Sequence, residues 1–168
     1  MIQNSIINKQ IKYLVELCLK YNIKITTAES CTGGLLAAYL TNISGVSKIF
    51  DQGYITYSND AKINLLDVKS EILQKYGAVA EQTATAMAEG ALKKANATLA
   101  FAITGIAGPT GGTDEKPVGL IYIAIAVKSY KTKVKKLLLG NKTRDTLREM
   151  AIEHILALAI EEIEHNLI

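Results

Sequence analysis

The chain has 168 residues, 49% apolar and 21% charged, enough for one domain with a real core and no metal or disulfide staples. Nineteen basic against sixteen acidic residues leave a net charge of +3, too small and too scattered to argue for a nucleic acid. The longest strictly apolar run, Leu120–Val127, falls far short of the roughly 20 residues a spanning helix needs, so no membrane passage is expected.

Apolar residues recur at three and four from Ile6 to Leu19, which predicts an amphipathic helix over 5–20 capped by Asn4 or Ser5. Cys18 falls on its apolar stripe, where a buried thiol is expected. Residues 23–28 alternate and are rich in β-branched side chains, as a strand should be. Glu29-Ser30-Cys31-Thr32-Gly33-Gly34 then forms a turn into a compact helix over 35–40. A second strand is expected over 48–57, followed by a short helix capped by Ser58 or Asn59 and running to about Leu66. Another helix over 68–76 is stopped by Gly77. Residues 81–95 carry Ala84, Met87, Ala88, Ala91 and Ala95 on one side, a small-residue face suited to close packing on a sheet. Residues 99–104 and 119–127 are near-continuous apolar strands, the mark of strands covered on both faces. Residues 131–139 read as an edge strand, and 143–163 as a long helix. The order predicts a layered α/β domain with a mixed sheet.

Both cysteines stand apart from any Cys-x-x-Cys pair, and residues 1–12 lack a basic segment leading into an apolar one. A reducing cytoplasm, with no secretory leader, is therefore expected. His154 and His165 do not make metal-ligand spacing with either cysteine, and no metal site is expected.

Two glycine-rich turns follow strands: Thr32-Gly33-Gly34, and Thr104 to Gly112, which holds Gly105, Gly108, Gly111 and Gly112. Neither matches a known phosphate-binding or dinucleotide pattern, and glycines also serve simply to make tight turns. Their place at strand ends nonetheless favours a small anionic ligand. Ser30 stands just before a helix, where it is either a plain cap or a nucleophile beside backbone N–H groups that hold an oxyanion. Cys31 is its rival, because a helix N-terminus also lowers a thiol's pKa. Both histidines belong to the terminal helix, so a base for Ser30 has to come from elsewhere. Lys62, on the short helix after the second strand, is a candidate by position; a solvated surface lysine is the alternative.

The motifs 28–35 (Ala-Glu-Ser-Cys-Thr-Gly-Gly-Leu), Tyr57-Ser58-Asn59 with Ala61-Lys62, Gly77-Ala78-Val79, Thr104 to Pro109, and Gly111-Gly112-Thr113 with Lys116 to Gly119 stand in order. Together they resemble the CinA C-terminal domain family, also known as nicotinamide mononucleotide (NMN) amidohydrolases of the PncC type. The resemblance implies a three-layer α/β/α sandwich with a mixed, largely parallel sheet, a single domain over 1–168, and often a homodimer. It implies hydrolysis of the NMN carboxamide to nicotinate mononucleotide and ammonia, with no metal or other cofactor. It places the nucleophile at Ser30, with Lys62 as base and Tyr57 ordering or relaying the proton. Thr32, Gly33, Gly34, Asn59, Thr104, Gly105, Gly108, Gly111, Gly112 and Arg144 are the expected substrate and phosphate contacts, with oxyanion donors near 32–34.

The family usually has Gly-x-Arg with a second arginine four residues on. Here Gly140 to Arg144 holds two extra residues, and Arg144 and Arg148 keep the spacing. Ala80, Thr98 and Ser44 replace residues common in relatives without removing a proposed catalytic group. The molybdopterin-binding-like domain that many relatives carry is not expected, since the first strand begins near Ile23. A non-catalytic nucleotide-binding or interaction domain, and an amidohydrolase for another small amide, are the competing functions.

Overall fold

The computed structural model describes residues 5–168, so the capping expected of Asn4 lies outside it. Helix α1 spans Ser5–Lys20, and strand β1, Ile25–Glu29, follows it. Helix α2 (Leu35–Thr41) and a 3-10 turn at Val46–Lys48 lead into β2 (Phe50–Ile55). Helices α3 (Asn59–Leu66), α4 (Ser70–Tyr76) and α5 (Glu81–Lys94) come next. Strands β3 (Leu99–Gly105), β4 (Leu120–Val127) and β5 (Lys133–Leu138) precede α6 (Arg144–Asn166).

The sheet has five strands in the order β2-β1-β3-β4-β5. β1 pairs in parallel with β2 and β3, while β4 runs antiparallel to both β3 and β5. Four strands therefore share one direction and β4 alone opposes them, as expected of a mixed sheet. β1 is the difference from simple alternation: all five of its residues are buried, because it is flanked by strands on both sides and helices on both faces.

The period-2 geometry of the strands sorts the core into two unequal halves. Leu99, Phe101 and Ile103 of β3 and Ile121, Ile123 and Ile125 of β4 face one side, where α1, α2 and α6 supply the other half of the packing. Ala100 and Ala102 of β3 and Ala124 and Ala126 of β4 face the other side, against Ala84, Met87, Ala88 and Ala91 of α5. Small residues on both partners let α5 lie close to the sheet, as its alanine stripe predicts. Large residues on the opposite face leave room for α1 and α6. The result is the three-layer α/β/α arrangement.

Candidate active site

The parallel strands deliver their chemistry to one end of the sheet. β1 ends at Glu29 and presents Ser30, β2 leads into Thr56 and Tyr57, and β3 closes on Thr104 and Gly105. The carboxyl ends of strands are where an open α/β sheet places its ligands. Ser58 caps α3 as expected, its Oγ accepting the Ala61 N–H at 3.0 Å. One turn further on, α3 sends Lys62 back beneath the end of β1.

Lys62 is buried, with 1% of its surface exposed, and Ser30 is 8% exposed. The Lys62 Nζ lies 3.1 Å from Ser30 Oγ and donates to the Thr56 carbonyl at 2.8 Å. The carbonyls of Tyr57 and Ser58 lie at 3.4 and 3.5 Å from the same nitrogen. No carboxylate pairs with it among the described residues. Burial pulls its pKa below the ordinary lysine value of 10.5, with the Cys31 sulfur pushing weakly the other way. A neutral amine in this seat can donate its two N–H groups to carbonyls and keep its lone pair for the Ser30 O–H. An arrangement of this kind can activate a serine without histidine.

Cys31 is a poor rival. Its side chain is 6% exposed, and burial pushes the thiol up to about 12. The helix N-terminus that was expected to lower it is already occupied. Glu29 Oε2 accepts the N–H groups of Gly34 and Leu36 at 3.0 and 3.1 Å, and Oε1 accepts that of Ala37 at 2.9 Å. A carboxylate there satisfies the unpaired donors of α2 and the positive end of its dipole together.

The same contacts change the expected oxyanion donors. Gly34 N–H belongs to Glu29, and Gly33 N–H donates to the Ser30 carbonyl at 3.1 Å. Within this turn the N–H groups of Cys31 and Thr32 are the ones taken neither by a backbone carbonyl nor by Glu29. Glu29 is a supporting residue beyond those expected, and its signal in the sequence is an acidic residue before a Gly-Gly turn and a helix, which suits the helix dipole.

Ser30, Tyr57, Thr104, Gly105, Gly108, Gly111 and Arg144 line one cavity of about 240 Å³, together with Ala78 and Val79. Arg144 is the one charged residue in that lining. Its NH1 donates to the Gly108 carbonyl at 2.8 Å and its NH2 to the Tyr57 hydroxyl at 2.9 Å. The Tyr57 phenol is thus turned to Arg144 at the exposed rim, and its backbone carbonyl is the part that meets Lys62. Thr104 Oγ1 donates to the Ala78 carbonyl at 2.7 Å. In the glycine loop, the N–H groups of Ala107, Gly108, Thr110 and Gly111 have no backbone acceptor and border the cavity.

Thr32, Gly33, Gly34, Asn59 and Gly112 do not line the cavity. Thr32 is fully buried and its carbonyl accepts Arg148 NH2 at 2.6 Å. Arg148 is thereby, after Glu29, a second structural support of the site beyond the expected contacts. It sits one turn after Arg144 and holds the Ser30 turn, while Arg144 holds the glycine loop. Asn59 opens α3 in solvent, and Gly112 faces a neighbouring cleft with Val118 and Asn141. No cluster of metal-ligating side chains occurs among the described residues, and no helix among them is long and apolar enough to cross a membrane.

The profile of the CinA C-terminal domain matches residues 7–163. The chain belongs to the CinA C-terminal domain family. A CinA-like protein of Kosmotoga olearia is 52% identical over 145 residues, covering 84% of this chain and 35% of its own length. A CinA-like protein of Colwellia psychrerythraea is 52% identical over 113 residues, 67% of this chain and 26% of its own length. The chain thus spans about a third or less of the curated relatives it matches. Solved structures agree over nearly the whole chain. The competence/damage inducible protein CihA from Agrobacterium tumefaciens has 38% identity and a TM-score of 0.94, covering 96% of this chain and 98% of that one. A CinA superfamily protein from Escherichia coli has 31% identity and a TM-score of 0.87, covering 95% and 94%.

Proposed function

We propose that this CinA domain is an amidohydrolase that converts nicotinamide mononucleotide and water to nicotinate mononucleotide and ammonia. The observation that carries the reading is the buried Lys62 nitrogen 3.1 Å from Ser30 Oγ at the edge of the cavity. The substrate identity rests on the motif resemblance, and the cavity supports an anionic ligand through Arg144 and the unpaired N–H groups of the glycine loop.

In this mechanism neutral Lys62 takes the Ser30 hydroxyl proton as Oγ attacks the carboxamide carbon. The N–H group of Cys31, a residue that lines the cavity, is the donor assigned to the resulting oxyanion. Lys62 then passes its proton to the amide nitrogen, the C–N bond breaks, and ammonia leaves an ester on Ser30. Water attacks that ester, one of its protons goes to Lys62 and on to Ser30 Oγ, and the acid product departs, releasing the other proton to solvent as it becomes the carboxylate. Tyr57 supports Lys62 through its carbonyl and, with Arg144, forms the rim. The working unit is a homodimer in the cytoplasm, with no nucleic acid or membrane partner.

Ammonia release from purified protein and NMN, with the product identified by chromatography, tests the proposal against a Ser30→Ala control. Release that is lost in the variant supports it. Tight NMN binding without ammonia would identify a binding module instead, and ammonia from other amides alone would replace the substrate.

A further inference from the structure

Lys116 lies outside the catalytic pair, in the loop between β3 and β4, yet it reaches across to the far wall of the cavity. Its Nζ donates to the carbonyl of Tyr76 at 2.8 Å and to that of Val79 at 2.9 Å. The two carbonyls between these are also taken by side chains. Thr83 Oγ1 of α5 donates to Gly77 at 2.7 Å, and Thr104 Oγ1 of β3 donates to Ala78 at 2.7 Å. Four consecutive carbonyls, from the last residue of α4 into the irregular segment after it, are therefore held by three side chains from three different places in the fold.

Irregular segments ordinarily leave such groups to water, so this one is unusually fixed. The seat for the ammonium is built as well. Gly77 has φ +78, and a Cβ at that position would stand 3.3 Å from Lys116 Nζ, so glycine serves both the turn and the contact. Lys116 itself is held in a reciprocal turn: its N–H donates to Thr113 Oγ1 at 3.0 Å, and its carbonyl accepts the Thr113 N–H at 2.9 Å.

Ala78 and Val79 form one wall of the cavity, and Ile106, Ala107, Gly108, Thr110 and Gly111, earlier in the loop that carries Lys116, form another. We infer that Lys116 is a positioning residue that sets the separation of these two walls and so the fit of the substrate between them. It acts through backbone and touches neither Ser30 nor Lys62. This inference rests on the amidohydrolase reading for its kinetic consequence, but the clamp itself is independent of any substrate.

Two measurements on Lys116→Met and Lys116→Arg separate the possibilities. Amide hydrogen exchange reads the clamp: in Lys116→Met, the amide of Gly77, whose N–H donates to the Leu73 carbonyl at 2.9 Å beside the clamped Tyr76 carbonyl, exchanges about tenfold faster or more, with those of α2 unchanged. Steady-state kinetics with NMN read the consequence: KM rises about tenfold, kcat falls less than about threefold, and its pH dependence stays in place. Lys116→Arg, which keeps a charged donor, recovers most of both effects. Unchanged exchange at Gly77 in Lys116→Met overturns the clamp. Faster exchange with an unchanged KM, or with a loss confined to kcat, overturns its role in substrate fit. Faster exchange in a protein whose wild type releases no ammonia from NMN leaves the clamp standing and sinks the reading of NMN as the substrate.

Discussion

Gly90 of α5 lies directly against the Leu66 carbonyl oxygen at the end of α3, so close that a Cβ on it would fall inside that oxygen. Under the proposed mechanism the closeness bears on catalysis, because α3 is the helix that carries Lys62. With glycine at position 90 the two helices meet backbone to side-chain-free backbone, and Lys62 reaches Ser30 from a fixed distance. A glycine in mid-helix is otherwise unfavourable by about 1 kcal/mol relative to alanine. Gly90→Ala should therefore be destabilising where helix propensity alone would predict the reverse, by roughly 1–3 kcal/mol for overpacking. Thermal melting gives the stability and ammonia release gives the rate. A more stable protein with an unchanged rate would show that α3 can shift without cost.

The Ser30–Lys62 pair carries a pH signature. Burial lowers the Lys62 pKa from 10.5 in the native state, so between the lowered value and 10.5 the unfolded chain binds more protons than the native one. Stability accordingly rises with pH across that window, with a slope of at most about 1.4 kcal/mol per pH unit from this group. Lys62→Met removes that contribution whatever its offset in absolute stability. In the same variant, and in Ser30→Ala, kcat should fall by ~10²–10⁴-fold. Wild-type kcat should climb with pH as Lys62 loses its proton. Denaturant melts and rate profiles over pH 6 to about 10 check both; a wild-type stability slope identical to that of Lys62→Met would place the amine's pKa where solvent leaves it.

The elements were legible because their signals were local. The stripe of α1, the alanine face of α5 and the apolar runs of β3 and β4 each act through the spacing of neighbours, and each formed where expected. Ser30 and Lys62 were legible as positions, since both follow strand ends, but their meeting depends on β1 and β2 lying side by side in parallel. What could not be read was partnership. Glu29 takes the helix N-terminus away from Cys31, Arg148 reaches Thr32 from the far end of the chain, and Tyr57 turns to Arg144. Those choices are settled by tertiary distance, which residue type and spacing do not encode.

Cys31 offers a test of nucleophile identity that needs no loss of function. With its thiol buried and its pKa pushed up to about 12, almost none is thiolate at pH 8, and thiolate is the reactive form. Cys31→Ala should retain kcat within about threefold, the modest loss expected of a small cavity beside Ser30. Native protein should react with iodoacetamide much more slowly than the same protein in denaturant. Rapid alkylation of Cys31 coupled to loss of ammonia release would return the cysteine to the role of nucleophile.

Glu29 should matter to catalysis through the turn it anchors. Its carboxylate accepts three N–H groups of α2, and an amide in its place sets an NH₂ against donors on one side. Glu29→Gln should cost about 1–3 kcal/mol, the usual penalty for leaving buried polar groups unpaired. The damage is local, because the three N–H groups belong to residues 34–37, directly after the Ser30 turn. Exchange of the Gly34, Leu36 and Ala37 amides should quicken, and kcat should fall by more than KM rises, since Ser30 Oγ drifts from Lys62 while Arg144 and the glycine loop stay in place. Glu29→Ala should be worse on both counts. A Glu29→Gln protein with wild-type melting, wild-type exchange at those three amides and undiminished kcat would mean that the Ser30 turn holds its shape without the carboxylate.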